Sequence, residues 1–359
     1  MSDNAVTPLH SAHLAAGARM VPFAGYSMPV QYKSVIQEAL AVRNGAGMFD
    51  VSHMARLSFV GEGVFEFLEH VTTNDISKLT DGTGQYSLLP NATGGLVDDI
   101  IVYRMSENEF RMVVNASNHA KDVAHLKAHL PSSVTMSDHT DETAMIAVQG
   151  PKAVEILAGL SDDPEGIRAA GMFGVVQTKI AGIDCFAPRS GYTGEDGYEL
   201  ICAASDAVAL WDALVAAGVE PCGLGSRDTL RVEAGLPLYG HELSDELSPI
   251  AAGLGWVIGK TKTFIGSEFI NAARAEGTPR RLVGVKMSGR RIPGIGAVVA
   301  VEGNAVGEVC SGVYSPVLEC GIAFAFVDRA VEFGTACTVD IRGSQEPGAV
   351  VNKRFLKKS

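Results

Sequence analysis

The chain has 359 residues, 47% of them apolar, with a formal net charge of −12 and a mean hydropathy of +0.16. That length exceeds one ordinary core and predicts two or three domains, while the composition excludes a disordered chain. The acidic balance argues against a nucleic-acid surface, and no apolar run reaches the ~20 residues a membrane helix needs, so neither nucleic acid nor membrane is an expected partner.

The start, Met1-Ser2-Asp3-Asn4, shows neither a basic region nor an apolar block, so a cytoplasmic location is expected. Residues 55–61 read as a strand and 64–71 as a helix. Strands follow near 85–90, 97–105 and 110–116, the last two joined by the polar turn Ser106-Glu107-Asn108-Glu109. A helix near 119–130 and a strand near 133–138 close this unit. The order β-α-β-β-β-α-β predicts an antiparallel sheet with helices on one face.

A similar series starts again at Ala144-Met145-Ile146-Ala147-Val148-Gln149-Gly150, with Pro151 in the favourable first turn of a helix over 152–160. Strands near 173–179, 183–188 and 197–203 and a helix near 205–217 follow. Phe59-Val60-Gly61 before one helix mirrors Val148-Gln149-Gly150 before the other, which predicts an internal duplication. Further helices are expected near 224–235 and 264–275, and Gly277-Thr278-Pro279 reads as a linker. Short strands at 282–287, 297–301, 305–310, 321–327 and 338–341 then predict a small all-β domain.

The six cysteines have no Cys-x-x-Cys pair or metal-like spacing and read as reduced, mostly buried thiols. His125 and His129 stand four apart on an expected helix, but without a carboxylate or cysteine partner in the pattern they read as a solvated face, and no metal site is expected. Positive charge is local: Arg280, Arg281, Lys286, Arg290 and Arg291, then Lys353, Arg354, Lys357 and Lys358. Each cluster is a solvated face or a landing place for an acidic partner.

Two glycine-rich stretches carry acids. In Gly94-Gly95-Leu96-Val97-Asp98-Asp99-Ile100-Ile101-Val102-Tyr103, two carboxylates open an otherwise apolar strand, which is costly unless they are solvated, paired or used. Strand side chains alternate, so Asp98 and Asp99 face opposite ways. One is free to look into a cavity while the other holds the turn. Gly191-Tyr192-Thr193-Gly194-Glu195-Asp196-Gly197-Tyr198-Glu199 takes about the same place in the second series. Two such loops would face one another across a crevice, a usual site for a small molecule.

Several stretches in register resemble one family: Thr7-Pro8-Leu9, Gly17–Gly25, Met28-Pro29-Val30-Gln31-Tyr32, Gly47–Met54, the two acidic motifs, Pro221–Asp228, and Ser311-Gly312-Val313-Tyr314-Ser315-Pro316. The chain resembles, over nearly its whole length, the T-protein family of the glycine cleavage system, aminomethyltransferases that use tetrahydrofolate. The resemblance implies an α+β, three-domain folate-binding fold with duplicated antiparallel α+β units and a C-terminal β barrel. The expected division is a catalytic region over 1–276 (one unit of 1–54 with 140–276, another of 55–139) and a barrel over 280–359. The implied reaction passes the methylene of an S-aminomethyl-dihydrolipoyl H-protein to tetrahydrofolate and releases ammonia. Lipoylated H-protein and a small-molecule folate are thus the expected partners.

The resemblance also implies roles. Asp99 matches the catalytic carboxylate, which would position the folate nitrogens and stabilise developing positive charge. Glu199 matches the pterin-binding glutamate, since a carboxylate accepts the adjacent amide N–H and amine of a pterin as a pair. Its other reading is an exposed strand acid. Tyr192, Tyr86 and Tyr103 match channel-lining aromatics, with core packing as the alternative for each. Asn115 matches a polar position near the cofactor, and His53 and Met54, in one tight loop, line the channel or hold the loop. Arg227 matches a functional arginine, or else pairs with Asp228 or Glu233 on its own helix. Two departures stand out. Tyr26 replaces a frequent tryptophan, and Lys357 stands where the family has an arginine at the lipoyl entrance, losing the planar fork.

Two rivals share the fold. One is a folate-dependent demethylase of a small methylated substrate; the other is a non-enzymatic folate-binding protein of iron–sulfur assembly, whose relatives carry a cysteine where this chain has Gly191-Tyr192-Thr193-Gly194. The lack of an N-terminal strand followed by Gly-x-Gly-x-x-Gly, and a length too short for an added dinucleotide-binding domain, argue against a flavin-linked amine oxidase.

Overall fold

The computed structural model describes residues 4–356, so Lys357 and Lys358 lie outside the described residues. The chain divides into two compact units, Met1–Leu89 with Asp99–Arg227, and Pro90–Asp98 with Asp228–Ser359.

The first unit is built on two sheets of matching topology. One has five strands in the order Thr83–Pro90, Leu96–Ser106, Glu109–Val114, Ala55–Gly61, Val134–Asp138. The other runs Val175–Ile180, Ile183–Pro188, Gly197–Ala203, Thr143–Gln149, Gly47–Asp50, Glu220–Pro221. Strand for strand in chain order the two agree, except that Gly47–Asp50 is inserted next to last in the second sheet. The inserted strand runs antiparallel to Thr143–Gln149 and parallel to Glu220–Pro221.

Equivalent helices bury equivalent stripes. Val64–Val71 buries Val64, Phe67, Leu68 and Val71, and Ala153–Leu160 buries Ala153, Leu157 and Ala158, the one-sided spacing of an amphipathic helix. The paired glycines share a cause as well. Gly61 and Gly150 have φ of +142° and +134°, and a Cβ on either would meet a carbonyl oxygen at 2.1 or 2.4 Å. Only glycine fits there.

That topology corrects one expectation. The Gly94–Gly95 turn precedes the second strand of its sheet after the helix, whereas the loop from 189 to 196 precedes the third. The true counterpart of 91–95 is the turn at Ala181-Gly182. Counting glycine motifs overlooked that hairpin, because its turn carries no acid.

A small sheet of Ala5–Val6, Tyr26–Gln31 and Arg19–Phe23 precedes these. It is tied down by a buried chain in which Tyr32 meets His13 at 2.8 Å, and His13 and Thr7 meet Oδ2 of Asp50 at 2.8 and 2.6 Å.

In the second unit, the expected barrel closes with six strands: Arg280–Met287, Cys320–Asp328, Asn304–Ser315, Val298–Val301, Ala336–Ile341 and Ser344–Val351. Its interior holds Val283, Val285, Val299, Val309, Ala325, Val339 and Val350. The last strand, absent from the sequence reading, pairs Ile341 with Ser344 across a two-residue turn. Helix Ser267–Glu276 ends at Gly277, as expected.

The basic clusters turn out to be largely engaged. Arg291 meets Glu346 at 2.6 Å, Arg290 donates to the Tyr314 hydroxyl, and Arg280 lies within 4 Å of both Glu308 and Asp328. Lys353 donates to the Ala252 carbonyl at 2.8 Å, and burial lowers its pKa to about 8. It is therefore not an exposed steering charge. All six cysteines are free, and only Cys310 is less than buried.

Candidate active site

All the described candidates lie in the first unit. On the strand Leu96–Ser106, Asp98 is fully buried and Asp99 half-buried, as alternation requires. Tyr86 donates to Oδ2 of Asp99 at 2.9 Å, and Asn115 donates to Oδ1 at 2.9 Å. The Asn115 amide also reaches the Asp99 carbonyl at 3.1 Å. Both carboxylate oxygens thus accept from neutral donors, an arrangement that favours the ionised form and fixes its plane.

Glu199, on Gly197–Ala203, is not an exposed strand acid but 4% exposed. Ser190 donates to its Oε2 at 2.5 Å, and the Tyr103 hydroxyl lies 3.3 Å from the Ser190 oxygen. A serine has one proton to give, so Tyr103 must be the donor to Ser190. Burial pushes the Glu199 pKa up, and the Ser190 bond and the Arg227 charge pull it back only in part. Tyr103 itself is fully buried, packed edge-on against Phe186 at 5.7 Å. Its ring belongs to the core, and its hydroxyl serves the glutamate.

Asp99 and Tyr103 share one face of their strand, four residues or about 13 Å apart. The two carboxylate clusters therefore open on the same side of the sheet.

The loop before Glu199 is pinned from several directions. Gln149, fully buried at the end of its strand, donates to the Ser190 carbonyl at 2.9 Å and accepts from Thr193 at 2.8 Å. Arg43 holds the Thr193 carbonyl at 2.8 Å and Glu195 at 2.6 Å, while Arg189 grips Asp196 with two nitrogens. Tyr192, presented by this loop, has the Arg227 guanidinium over its ring at 4.6 Å from the centroid. Of the two acids on the Arg227 helix, Asp228 meets Arg231 at 2.8 Å, and Glu233 accepts from Ser315 at 2.5 Å.

Met54 is half-buried in the loop after Gly47–Asp50. Its neighbour His53 is 4% exposed and packs against Phe23 and Tyr26 at 5.5 and 6.3 Å between ring centres. Burial, with the charges of Arg227 and Arg56, lowers the His53 pKa to about 4 against the pull of Asp50. Lys357 lies outside the described residues. Ser190, Gln149 and Arg43 were missed by the sequence reading. The one available signal was Gln149, a polar residue closing an apolar strand.

Among the described residues no group of three His, Cys, Asp or Glu could hold a metal ion. The rings of His125 and His129 lie 5.0 Å apart at a tilt of 54°, with His129 turned to the His125 carbonyl. No described helix is long and apolar enough to cross a membrane.

Comparison with known proteins decides the family. The GCVT N-terminal domain model matches residues 9–262, and the glycine cleavage T-protein C-terminal barrel domain model matches 280–357. The chain belongs to the glycine cleavage T-protein family. Relatives named aminomethyltransferase include one from Thermus thermophilus, 48% identical over 98% of both chains, and one from Geobacillus kaustophilus, 44% identical over 98% of this chain and 99% of that one. The crystal structure of glycine cleavage system aminomethyltransferase T from Bartonella henselae superposes with a TM-score of 0.91 at 33% identity, covering 99% of this chain and 98% of that one. As a T-protein family member the chain is an enzyme, a transferase, and its mixed α+β body with a six-stranded C-terminal barrel is the family's fold.

Proposed function

We propose that this T-protein family member transfers the methylene of an S-aminomethyl-dihydrolipoyl H-protein to tetrahydrofolate, with release of ammonia. The observation that carries the reading is the Asp99 carboxylate, held at both oxygens by Tyr86 and Asn115 on the face it shares with Tyr103. The residues fit a folate. Glu199 is a buried acceptor suited to the paired N–H donors of a pterin, and Tyr192 beneath Arg227 offers a flat face. Tetrahydrofolate, when bound, supplies the nitrogens that accept the one-carbon unit.

The protein's share is positional and electrostatic. Glu199 fixes the pterin edge, and Arg227 stiffens Tyr192 by its charge over the ring. Two neutral donors hold the Asp99 carboxylate in place, and an anion fixed there stabilises cationic charge as ammonia departs. Met54 and the lipoyl-entrance role of Lys357 belong to the same proposal through the family likeness.

The test is ammonia release with purified enzyme and tetrahydrofolate, with and without lipoylated, aminomethyl-loaded H-protein. Turnover should require the loaded H-protein. Equal turnover on a free methylated amine or sulfonium would assign the demethylase reaction instead. For the folate placement, Glu199→Ala should weaken tetrahydrofolate binding by about 1.5–3 kcal/mol in calorimetry, the worth of hydrogen bonds to a charged group. Unchanged affinity would remove Glu199 from the site.

A further inference from the structure

We propose that Ser190 is the positioning residue of this site, handing a hydrogen bond from Tyr103 on to Glu199 so that the buried carboxylate is kept as an acceptor for the N–H edge of a pterin. The inference rests on the reading of Glu199 as the pterin-binding acid.

With Glu199 ionised, the hydrogen bonds run in one direction. The Ser190 proton lies on Oε2 of Glu199 at 2.5 Å, so the oxygen 3.3 Å from the Tyr103 hydroxyl has only lone pairs to offer. Tyr103 is fully buried and resists ionisation, so its proton stays in place as the head of the chain. Linked hydrogen bonds of one sense polarise one another, and the acceptor at the end is stabilised as an anion.

Ser190 is itself anchored. Its carbonyl accepts from the fully buried Gln149 at 2.9 Å, and Gln149 also fixes Thr193 three residues on. The serine therefore presents its hydroxyl from a loop that is held on both sides. The strand that pairs with Glu199 offers Ala147 opposite it, which contributes no charge. The titratable and charged groups acting on Glu199 are Tyr103 from the Leu96–Ser106 strand and Arg227 from the helix Leu224–Ala234. Without Ser190, only the more distant Arg227 charge would oppose the cost of burying the anion.

A role in packing alone and a role in holding the ionised state differ in their pH signature. Tetrahydrofolate binding to the full chain is measured by calorimetry from about pH 6 to 8.5 for the wild type and for Ser190→Ala, Ser190→Thr, Tyr103→Phe and Glu199→Gln. Ser190→Ala should weaken binding about tenfold or more near neutrality, and the pH at which affinity falls should move upward. Tyr103→Phe should move it the same way by less, and Ser190→Thr, which keeps the hydroxyl, should restore the wild-type profile. A loss of equal size at every pH in Ser190→Ala would overturn the proposal, since packing alone gives that result. Wild-type affinity in Ser190→Ala beside weak binding in Glu199→Gln would overturn it while leaving Glu199 in place. Wild-type affinity in Glu199→Gln would overturn both readings.

Discussion

The phenol of Tyr86 stands 2.9 Å from Oδ2 of Asp99 and donates to it. With the opposite oxygen on Asn115, the carboxylate has its plane fixed before any ligand arrives. Asp99→Asn should therefore lower kcat by about a hundredfold or more while changing tetrahydrofolate affinity little. Asp98→Asn, at the fully buried neighbour, should lower the unfolding midpoint and leave the turnover of folded enzyme near wild type. Steady-state kinetics and urea titration separate the two, and wild-type turnover in Asp99→Asn would end its catalytic assignment.

In the barrel unit, Arg231 and Glu242 are 1% and 0% exposed and meet at 2.8 Å. Ser311 bridges them, accepting from Arg231 at 2.7 Å and donating to Glu242 at 2.6 Å. Removing Glu242 takes a buried countercharge from Arg231, whose ion pair with the more exposed Asp228 at 2.8 Å remains. Glu242→Ala should cost about 3–5 kcal/mol of stability by chemical denaturation, nearly independent of salt. A loss below 1 kcal/mol would mean that the pair is solvated in solution.

His53 should make stability depend on pH. Its folded pKa is about 4, below the ~6.5 of an unfolded histidine, so the unfolded chain binds the extra proton first as pH falls. The contribution of His53 is complete above about pH 6.5 and lost progressively down to about pH 4. His125, lowered to about 4 by burial and then by His129 and Lys121, acts in the same window. Denaturation midpoints of His53→Gln should accordingly fall less steeply between pH 6.5 and 4 than those of the wild type, with part of the slope remaining. An unchanged slope would show that His53 is protonated in the folded state.

With Lys353 engaged on Ala252, the proposed steering of an acidic H-protein would rest on the C-terminal charges beyond it, beginning at the exposed Arg354. Arg354→Glu combined with Lys357→Glu should raise the KM for lipoylated H-protein at low salt, and the difference should shrink as the screening length falls toward ~8 Å. Tetrahydrofolate affinity should not change. A KM that is the same at every salt concentration would leave these residues as ordinary solvated surface.

The legible parts of the sequence were those whose cause is local. The two glycine motifs stood out because acids opening apolar strands need a reason, and the family resemblance then chose Asp99 and Glu199 within them. The helices Val64–Val71 and Ala207–Ala216 followed from their apolar spacing. The barrel's sixth strand escaped because Pro347 and Gly348 interrupt its pattern and its turn, Arg342-Gly343, takes positive φ at both residues. Gly47–Asp50 escaped as a strand because all four residues are buried, which leaves no alternation to read. Ser190 and Gln149 lie 41 residues apart, and their meeting depends on sheet pairing that local pattern does not reveal. The family likeness thus named both carboxylates and the two donors on Asp99, Tyr86 and Asn115, but not Ser190, the donor on Glu199.

The strand inserted in the second sheet has a consequence for synthesis. Gly47–Asp50 pairs with Ile146–Gln149, so it must wait for about 100 more residues to leave the ribosome, roughly 5–20 s at ordinary elongation rates. Its parallel neighbour, Glu220–Pro221, arrives later still. During that interval a segment destined for full burial has no native hydrogen-bond ladder, while Ala55–Gly61 and the strands after it can already close their own sheet. The nascent chain therefore completes the later-starting sheet first and threads its earlier segment into the second one afterwards, which makes this insertion the step most exposed to chaperone capture.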